Sequence, residues 1–388
     1  MSPNNETASK RPLRVLHIAF TMNARGTETW LMNVLRHIDR TCFQMDFVTV
    51  KGEQGLYDDE IKSLGANLHP CTHSDNKLSF LKDLSKIIKE KGPYDIIHAH
   101  PYALSGLIML IAKWYKIPVR IVHSHTDRRA VSNDRNPLRK TYIWLMKKLI
   151  NINATYKLAV SEASALSLFG ENSKNLSIMH CGINIKPFRD NIEADIRTSF
   201  NIPKEKQIIG HIGGFNEEKN HQFLVAIFAE LLTQNLNLHL LLIGDGPLRK
   251  NIEQQVSKLG LKNNVTFTGV QQNIVPFLKI MDVFAFPSHF EGLGLAVVEA
   301  QAAGLPVIAS DFIPFEASVI PELMEFLPLS EEKEWKSAIT KALNNKPISS
   351  EEALKRIKNS DFNIEQNIKA LSTLYTQLCT SVDKEGIQ

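Results

Sequence analysis

Phe290-Glu291-Gly292-Leu293-Gly294-Leu295-Ala296-Val297-Val298-Glu299-Ala300 is the stretch on which the reading of this chain turns. The run before it, Val283-Phe284-Ala285-Phe286-Pro287, has the apolar continuity of a buried strand and is stopped by proline. The run after it, Leu295 to Ala303, has the length and composition of a helix closed by Gly304. Glu291 then falls in a strand-to-helix loop and Glu299 on the helix. Gly292 and Gly294 let main-chain N–H groups approach an anion at a helix N-terminus, a ready place for phosphate. A carboxylate on either side of such a place accepts hydrogen bonds from hydroxyl groups, so the pattern suits a sugar joined to a phosphate.

Outward from this stretch, strands and helices alternate almost throughout. Val15–Phe20, Phe43–Val50, Tyr94–Ala99, Val119–His123 and Lys157–Val160 read as strands, with helices over Thr29–Ile38, Leu78–Lys89 and Ala103–Trp114. The pattern then restarts. Strands are expected at Ile208–Ile212, Leu238–Ile243, Val265–Thr268, Val283–Phe286 and Val307–Ser310, with helices at His221–Thr233, Leu248–Leu259 and Ile274–Met281. Such βαβ patterning gives mostly parallel sheets covered on both faces. The expected architecture is α/β, two doubly wound Rossmann-like domains facing a central cleft, joined near Ile183–Arg189. The domains are drawn at 1–186 and 187–362. Ligands of such sheets bind at the carboxyl ends of the strands.

Bulk properties agree and exclude other classes. A chain of 388 residues fits two ordinary domains. The net charge of +4, from 45 basic and 41 acidic residues, is too small to argue for nucleic acid, and no aromatic-plus-basic binding motif accompanies it. Cys42, Cys71, Cys181 and Cys379 are scattered, which suggests neither a disulfide framework nor a zinc ribbon and fits a reducing cytoplasm. Met1–Arg14 is polar, reads as a disordered tail and lacks the apolar core of a signal peptide. The longest apolar stretch, Leu104–Ala112, is too short to span a bilayer, so membrane association would be peripheral.

Two glutamates separated by seven residues, set in this strand, loop and helix and followed by Gln301-Ala302-Ala303-Gly304-Leu305-Pro306-Val307-Ile308-Ala309-Ser310-Asp311, closely resemble the Glu-x7-Glu signature of retaining glycosyltransferases of family 4, which have the GT-B fold. The resemblance implies transfer of a sugar from a nucleotide diphosphate sugar, a UDP-sugar, to a hydroxyl of a glycan or lipid-linked acceptor. It implies retention of configuration without a bound metal or other cofactor. The segment after Ser310-Asp311 and the His-Ser-His stretch look most like members that build capsule, exopolysaccharide or lipopolysaccharide. In this fold the last helix, here from about residue 363, returns to the N-terminal domain.

Residue by residue, the resemblance implies a donor site in the second half. His211-Ile212-Gly213-Gly214-Phe215-Asn216-Glu217-Glu218-Lys219 looks like the family's Gly-Arg-x4-Lys element, so Gly213 and Lys219 face the donor diphosphate. Gly214 stands where the family usually has arginine, and glycine cannot supply the bidentate fork. Leu242-Ile243-Gly244-Asp245-Gly246-Pro247 matches a turn that shapes the cleft floor. Val270 is assigned to the nucleotide base, Glu299 to the ribose, and Glu291 with the main chain of Gly292, Leu293, Gly294 and Leu295 to the sugar. A non-catalytic sugar-nucleotide-binding protein, suggested by Gly214, and a GT-B epimerase are the rival readings.

The first half carries the acceptor side. Thr21-Met22-Asn23-Ala24-Arg25-Gly26-Thr27-Glu28 resembles the family's glycine-rich loop, with Gly26 near the donor phosphates and Arg25 a candidate to replace the missing arginine. His98-Ala99-His100 and His123-Ser124-His125 end neighbouring strands, and residues i and i+2 share a face. A metal site is one reading. No carboxylate or cysteine at ordinary spacing completes a ligand set, and structural histidines are the alternative, so no metal is expected. The family places a histidine beside the donor sugar after this strand. His123 and His125 both fit, and His125 is favoured as the catalytic group. Finally, Arg128, Arg129, Arg135, Arg139, Lys140, Lys147 and Lys148 alternate with Leu138, Tyr142, Ile143, Trp144, Leu145 and Met146. This amphipathic basic segment, 128–148, suits an anionic membrane surface at the inner face of the cell membrane, or packing on its own domain with a solvated basic face.

Overall fold

The computed structural model describes residues 11–71, 77–129, 136–190 and 196–385. Most of the Met1–Arg14 tail, Arg135, part of the polar stretch after Arg189, and residues 386–388 of the C-terminal segment lie outside them.

The chain forms two parallel sheets. The first contains β1 (Leu13–Ala19), β2 (Phe43–Thr49), β3 (Asn67–Pro70), β4 (Ile96–Ala99), β5 (Val119–Ser124), β6 (Tyr156–Ala159) and β7 (Leu176–Ile178), in the order β3-β2-β1-β4-β5-β6-β7. The second contains β8 (Gln207–Ile212), β9 (Leu238–Ile243), β10 (Val265–Phe267), β11 (Val283–Phe286), β12 (Val307–Ser310) and β13 (Met324–Leu327), in the order β10-β9-β8-β11-β12-β13. The strand order reverses between β1 and β4 and again between β8 and β11, so each sheet has the crevice where doubly wound folds bind ligands. Central strands are fully covered, as β9 (Leu238–Ile243) and β11 (Val283–Phe286) illustrate. The edge strands β3, β7 and β13 escape the sequence reading because they are short and only partly buried, with no apolar run to mark them.

The last helix, Ile364–Glu385, crosses back to the first domain. It packs on the helix Gly26–His37 and on β5. Trp30, buried on the first helix, donates its indole N–H to Asn367 at 2.7 Å, and Asn367 donates its amide to the carbonyl of His180 at 2.6 Å. The chain's end therefore closes the core of its beginning.

Candidate active site

Two strand-to-helix loops of the second sheet meet at the cleft. After β8, Asn216 accepts from the Lys219 N–H and closes a short 3-10 turn, Glu217–Lys219. After β11, the loop Glu291–Gly294 opens the helix Leu295–Ala302. The two are stitched together by the His289 N–H, which donates to the Glu218 carbonyl at 2.8 Å. This brings the Lys219 ammonium onto the Glu291 carboxylate, both mostly shielded from solvent, with Lys219 Nζ also 4.8 Å from the centre of the Phe286 ring. The glycines explain themselves sterically. A Cβ on Gly213 would press on the Lys219 stem at 3.1 Å, and one on Gly244 (φ +136°) would meet the Gly213 carbonyl at 2.1 Å. The Gly244–Gly246 turn thus nests against the loop that carries Lys219. Gly269 anchors it from the other side, accepting from the Gly244 N–H at 2.9 Å, which leaves Val270 half-exposed beyond.

Gly294 adopts the left-handed conformation (φ +85°) at the start of Leu295–Ala302, and no side chain caps this end. Its first main-chain amides are therefore open to an anion. Glu299 stands one turn in. Its carboxyl has no hydrogen-bond or ion-pair partner among the described residues, and desolvation by burial pushes it up to about 8. Glu28, on the facing first helix, is pushed up to about 7 by the same cause, offset in part by a backbone hydrogen bond and by Arg25. The sequence reading passed over Glu28, whose burial follows from the packing of its helix against the cleft and has no local signal.

The first domain meets this loop directly. A Cβ on Gly292 would lie 1.9 Å from the His125 carbonyl oxygen, so only glycine allows the two backbones to touch. Ser161, which caps the helix Glu162–Phe169, donates its hydroxyl to the Gly292 carbonyl, and the Glu162 N–H donates to Glu316 at 3.0 Å. Gly26 lies across from Leu295, with 3.7 Å between its Cβ position and the leucine methyl. Contacts thus link Gly26 to Leu295, Gly213 to Lys219, Lys219 to Glu291 and Gly292 to His125, with Leu293, Gly294 and Glu299 on the same loop and helix.

His125 and His123 separate clearly. His123 is fully buried, whereas His125 is the partly exposed member at the cleft floor. The His125 ring is turned inward: its Nε2 is 2.9 Å from His100 Nδ1 and its Nδ1 is 3.7 Å from Cys181 Sγ. Its carbonyl meets the Gly292 loop.

Residues 193–361 match the family model described as Glycosyl transferases group 1, and residues 24–186 match the one described as Glycosyltransferase Family 4. Over 371 residues the chain is 34% identical to "Putative glycosyltransferase EpsF" of Bacillus subtilis (strain 168), covering 93% of this chain and 96% of that one. The chain belongs to glycosyltransferase family 4. It is also 27% identical over 349 residues to the capsular polysaccharide biosynthesis glycosyltransferase CapH of Staphylococcus aureus, covering 86% of this chain and 92% of that one. In fold it resembles HepE of Anabaena, solved in complex with UDP and glucose, at a TM-score of 0.78 and 17% identity over 94% of this chain and 100% of that one.

Gly214 is the position where the resemblance to family 4 implies an arginine. A Cβ on Gly214 would have only ordinary contacts, 3.6 Å to the Asp245 carbonyl and 3.7 Å to Asn216. The position has room for a side chain and carries none. Other cations stand nearby. Glu218, raised by burial and by Glu291, is pulled back down by Lys219, Arg128 and Arg25, so both arginines of the first domain reach the same electrostatic neighbourhood. Arg25 precedes the first helix and is exposed; Arg128 lies over the Tyr102 ring at 5.2 Å. Arg128 entered the sequence reading only as part of the basic segment.

From Pro137 onward that segment lies in the helix Pro137–Asn153, capped by Asn136, whose side chain accepts from the N–H groups of Leu138 and Arg139. Its inner face buries Met146 and Ile150. Its outer face leaves Leu138, Trp144, Leu145 and Ile152 exposed, beside Leu110 and an 83% exposed Trp114 on the neighbouring helix Ser105–Trp114. Lys148 lies over Trp144, 5.2 Å from the ring centre. Among the described residues no helix is long and apolar enough to cross a membrane.

Proposed function

We propose that this family 4 glycosyltransferase transfers a sugar from a UDP-sugar to a hydroxyl of a glycan or lipid-linked acceptor, with retention of configuration and without a metal at the donor diphosphate, in cell-surface polysaccharide synthesis. The observation that carries the reading is the meeting of Lys219 with Glu291 beside the open amides of the Gly294 helix start, one turn from the unpartnered Glu299. Lys219 and the amides take the diphosphate, Glu291 takes the sugar hydroxyls and Glu299 the ribose. The backbone after Gly269, at Val270, takes the base. The bond between the sugar's anomeric carbon and the phosphate oxygen breaks. A bond to the acceptor oxygen forms on the same face, and the acceptor proton passes to the departing diphosphate. Lys219 acts by neutralising charge that builds on the leaving group, the kind of electrostatic stabilisation from which such sites draw most of their rate. The His125 side chain would reach the sugar only by turning its ring away from both His100 and Cys181.

The UDP and glucose bound to HepE support a UDP-sugar donor, and the name of CapH supports a surface polysaccharide as product. The exposed Trp114, Leu138, Trp144 and Leu145 with Lys140 and Lys148 support peripheral contact with the anionic inner face of the cell membrane. The vacancy at Gly214 favours a second reading, a protein that binds the sugar nucleotide and does not transfer it.

A panel of UDP-sugars tests both. Under the first reading one donor gives turnover with a lipid-linked glycan acceptor, the product keeps the donor's anomeric configuration by NMR, and added magnesium or manganese leaves the rate unchanged. Binding of that donor without turnover on any acceptor supports the second. Absence of any UDP-sugar binding at millimolar concentration removes both.

A further inference from the structure

The densest chemistry outside the donor pocket is a face of five histidines on the first sheet. The parallel register pairs His17 of β1 with His98 of β4, and residues i and i+2 share a face. His17, His98, His100, His123 and His125 therefore project to one side, beneath Trp30 and Tyr375. His17 and His98 are completely buried and His100 is 7% exposed.

We propose that His17, His98 and His100 bind one divalent transition-metal ion of the zinc class in the core of the N-terminal domain, as a structural site apart from the donor diphosphate. One ligand atom from each of the three lies within 4.8 Å of the other two. His17 Nδ1 and His100 Nε2 are 3.1 Å apart, close to the ~3.3 Å that two imidazole nitrogens keep when both hold a tetrahedral ion at ~2.0 Å.

The outer partners are also in place. His98 Nδ1 is 2.7 Å from the Tyr375 hydroxyl, and His100 Nδ1 is 2.9 Å from His125 Nε2. In the metal-bound state the Nδ1–H groups of His98 and His100 donate outward, and their Nε2 atoms together with His17 Nδ1 turn lone pairs inward, the arrangement by which protein histidines are oriented toward metals. The second, independent observation is what the protein leaves unpaired: His98 Nε2 is buried with no hydrogen-bond partner among the described residues. A chain of imidazole hydrogen bonds alone accounts for His17–His100–His125 and not for this atom. An ion gives His98 Nε2 its partner.

Neutral imidazoles without a carboxylate select zinc, cobalt, nickel or copper over magnesium and manganese. His123, stacked on His98 with ring centres 5.4 Å apart, borders the same space. The ion would cross-link β1 to β4 and, through Tyr375, fasten the last helix.

The test uses the full-length chain, produced in zinc-supplemented medium, purified through a tag without histidine and analysed for metal by mass spectrometry. About one zinc per chain is expected, and exchange with Co2+ should give visible absorption of a Co2+ ion held by imidazole nitrogens. His98→Gln and His17→Gln should each hold less than about a tenth of that metal, and Tyr375→Phe should weaken Co2+ binding about 10–100-fold while keeping all three ligands. Full metal content in either histidine variant, or unchanged Co2+ affinity in Tyr375→Phe, overturns the assignment. If the histidine variants do not fold, the wild-type chain decides. Less than about a tenth of an equivalent of metal, with no rise in Tm on adding Zn2+ or Co2+, also overturns it.

Discussion

The Lys219 ammonium rests on the Glu291 carboxylate, two residues 72 positions apart in sequence and both largely shielded from solvent. Each neutralises the other, so under the proposed function the donor would meet a site whose charges are already compensated. Lys219→Ala should therefore do two things: remove the cation from the leaving diphosphate and strand Glu291. We expect kcat to fall about 10²–10³-fold. Glu291→Gln should weaken sugar-nucleotide binding more than UDP binding. The two substitutions combined should cost less than the sum of their separate effects, measured as a double-mutant cycle on kcat/KM.

Gly214 has space for a side chain, and Arg25 and Arg128 approach the same charges from the opposite domain. Gly214→Arg is expected to tighten UDP binding, by isothermal titration, by about tenfold. Arg25→Ala should weaken it by a similar factor in the wild type and by less in Gly214→Arg. Equal losses in both backgrounds would show that the two cations do not share a ligand.

Glu299 makes stability depend on pH. Its carboxyl is raised from 4.5 to about 8 by desolvation. A raised folded value means that the stabilising contribution is complete below the unfolded value and is lost as pH rises through the folded one. Between about 4.5 and about 8 the unliganded protein should therefore lose stability that Glu299→Gln retains. Denaturant titrations at several pH values would read this as a flatter profile in the variant.

Gly292 touches the carbonyl of His125 across the cleft, and Ser161 holds the same loop. Gly292→Ala should block this approach and leave each domain folded. Activity should drop about tenfold or more, because misplaced reacting groups lose their orientation. The radius of gyration by X-ray scattering should rise while far-UV circular dichroism stays unchanged.

The exposed face of the Pro137–Asn153 helix predicts binding to vesicles. Trp114→Glu with Trp144→Glu should reduce sedimentation with anionic vesicles about tenfold and leave neutral vesicles unaffected. Raised salt should act in the same direction on the wild type.

What the sequence made legible was local. The loop from Glu291 to Glu299 and the turns at Gly244 and Lys219 carry their structure in residue types a few positions apart, because strand, turn and helix signals are short-range. The strands that were missed, Asn67–Pro70, Leu176–Ile178 and Met324–Leu327, lie at or near sheet edges and have no apolar run to announce them. Pairings across sequence were hidden for a different reason. That His17 joins His98 depends on strand register, and that Tyr375 meets His98 depends on a contact 277 residues long. The inward turn of the His125 ring follows from the same packing, so the residue type suggested chemistry while its neighbours decided where the nitrogens point.

The return of the Ile364–Glu385 helix to the first sheet sets an order on synthesis. The donor half is continuous in sequence and can mature as soon as it clears the ribosome. The half that is translated first lacks a wall until the final 22-residue helix emerges. A stop codon shortly before Tyr375 would spare the later-made half and leave the earlier-made one open along its histidine face. The first domain is thus completed only after the second has been made.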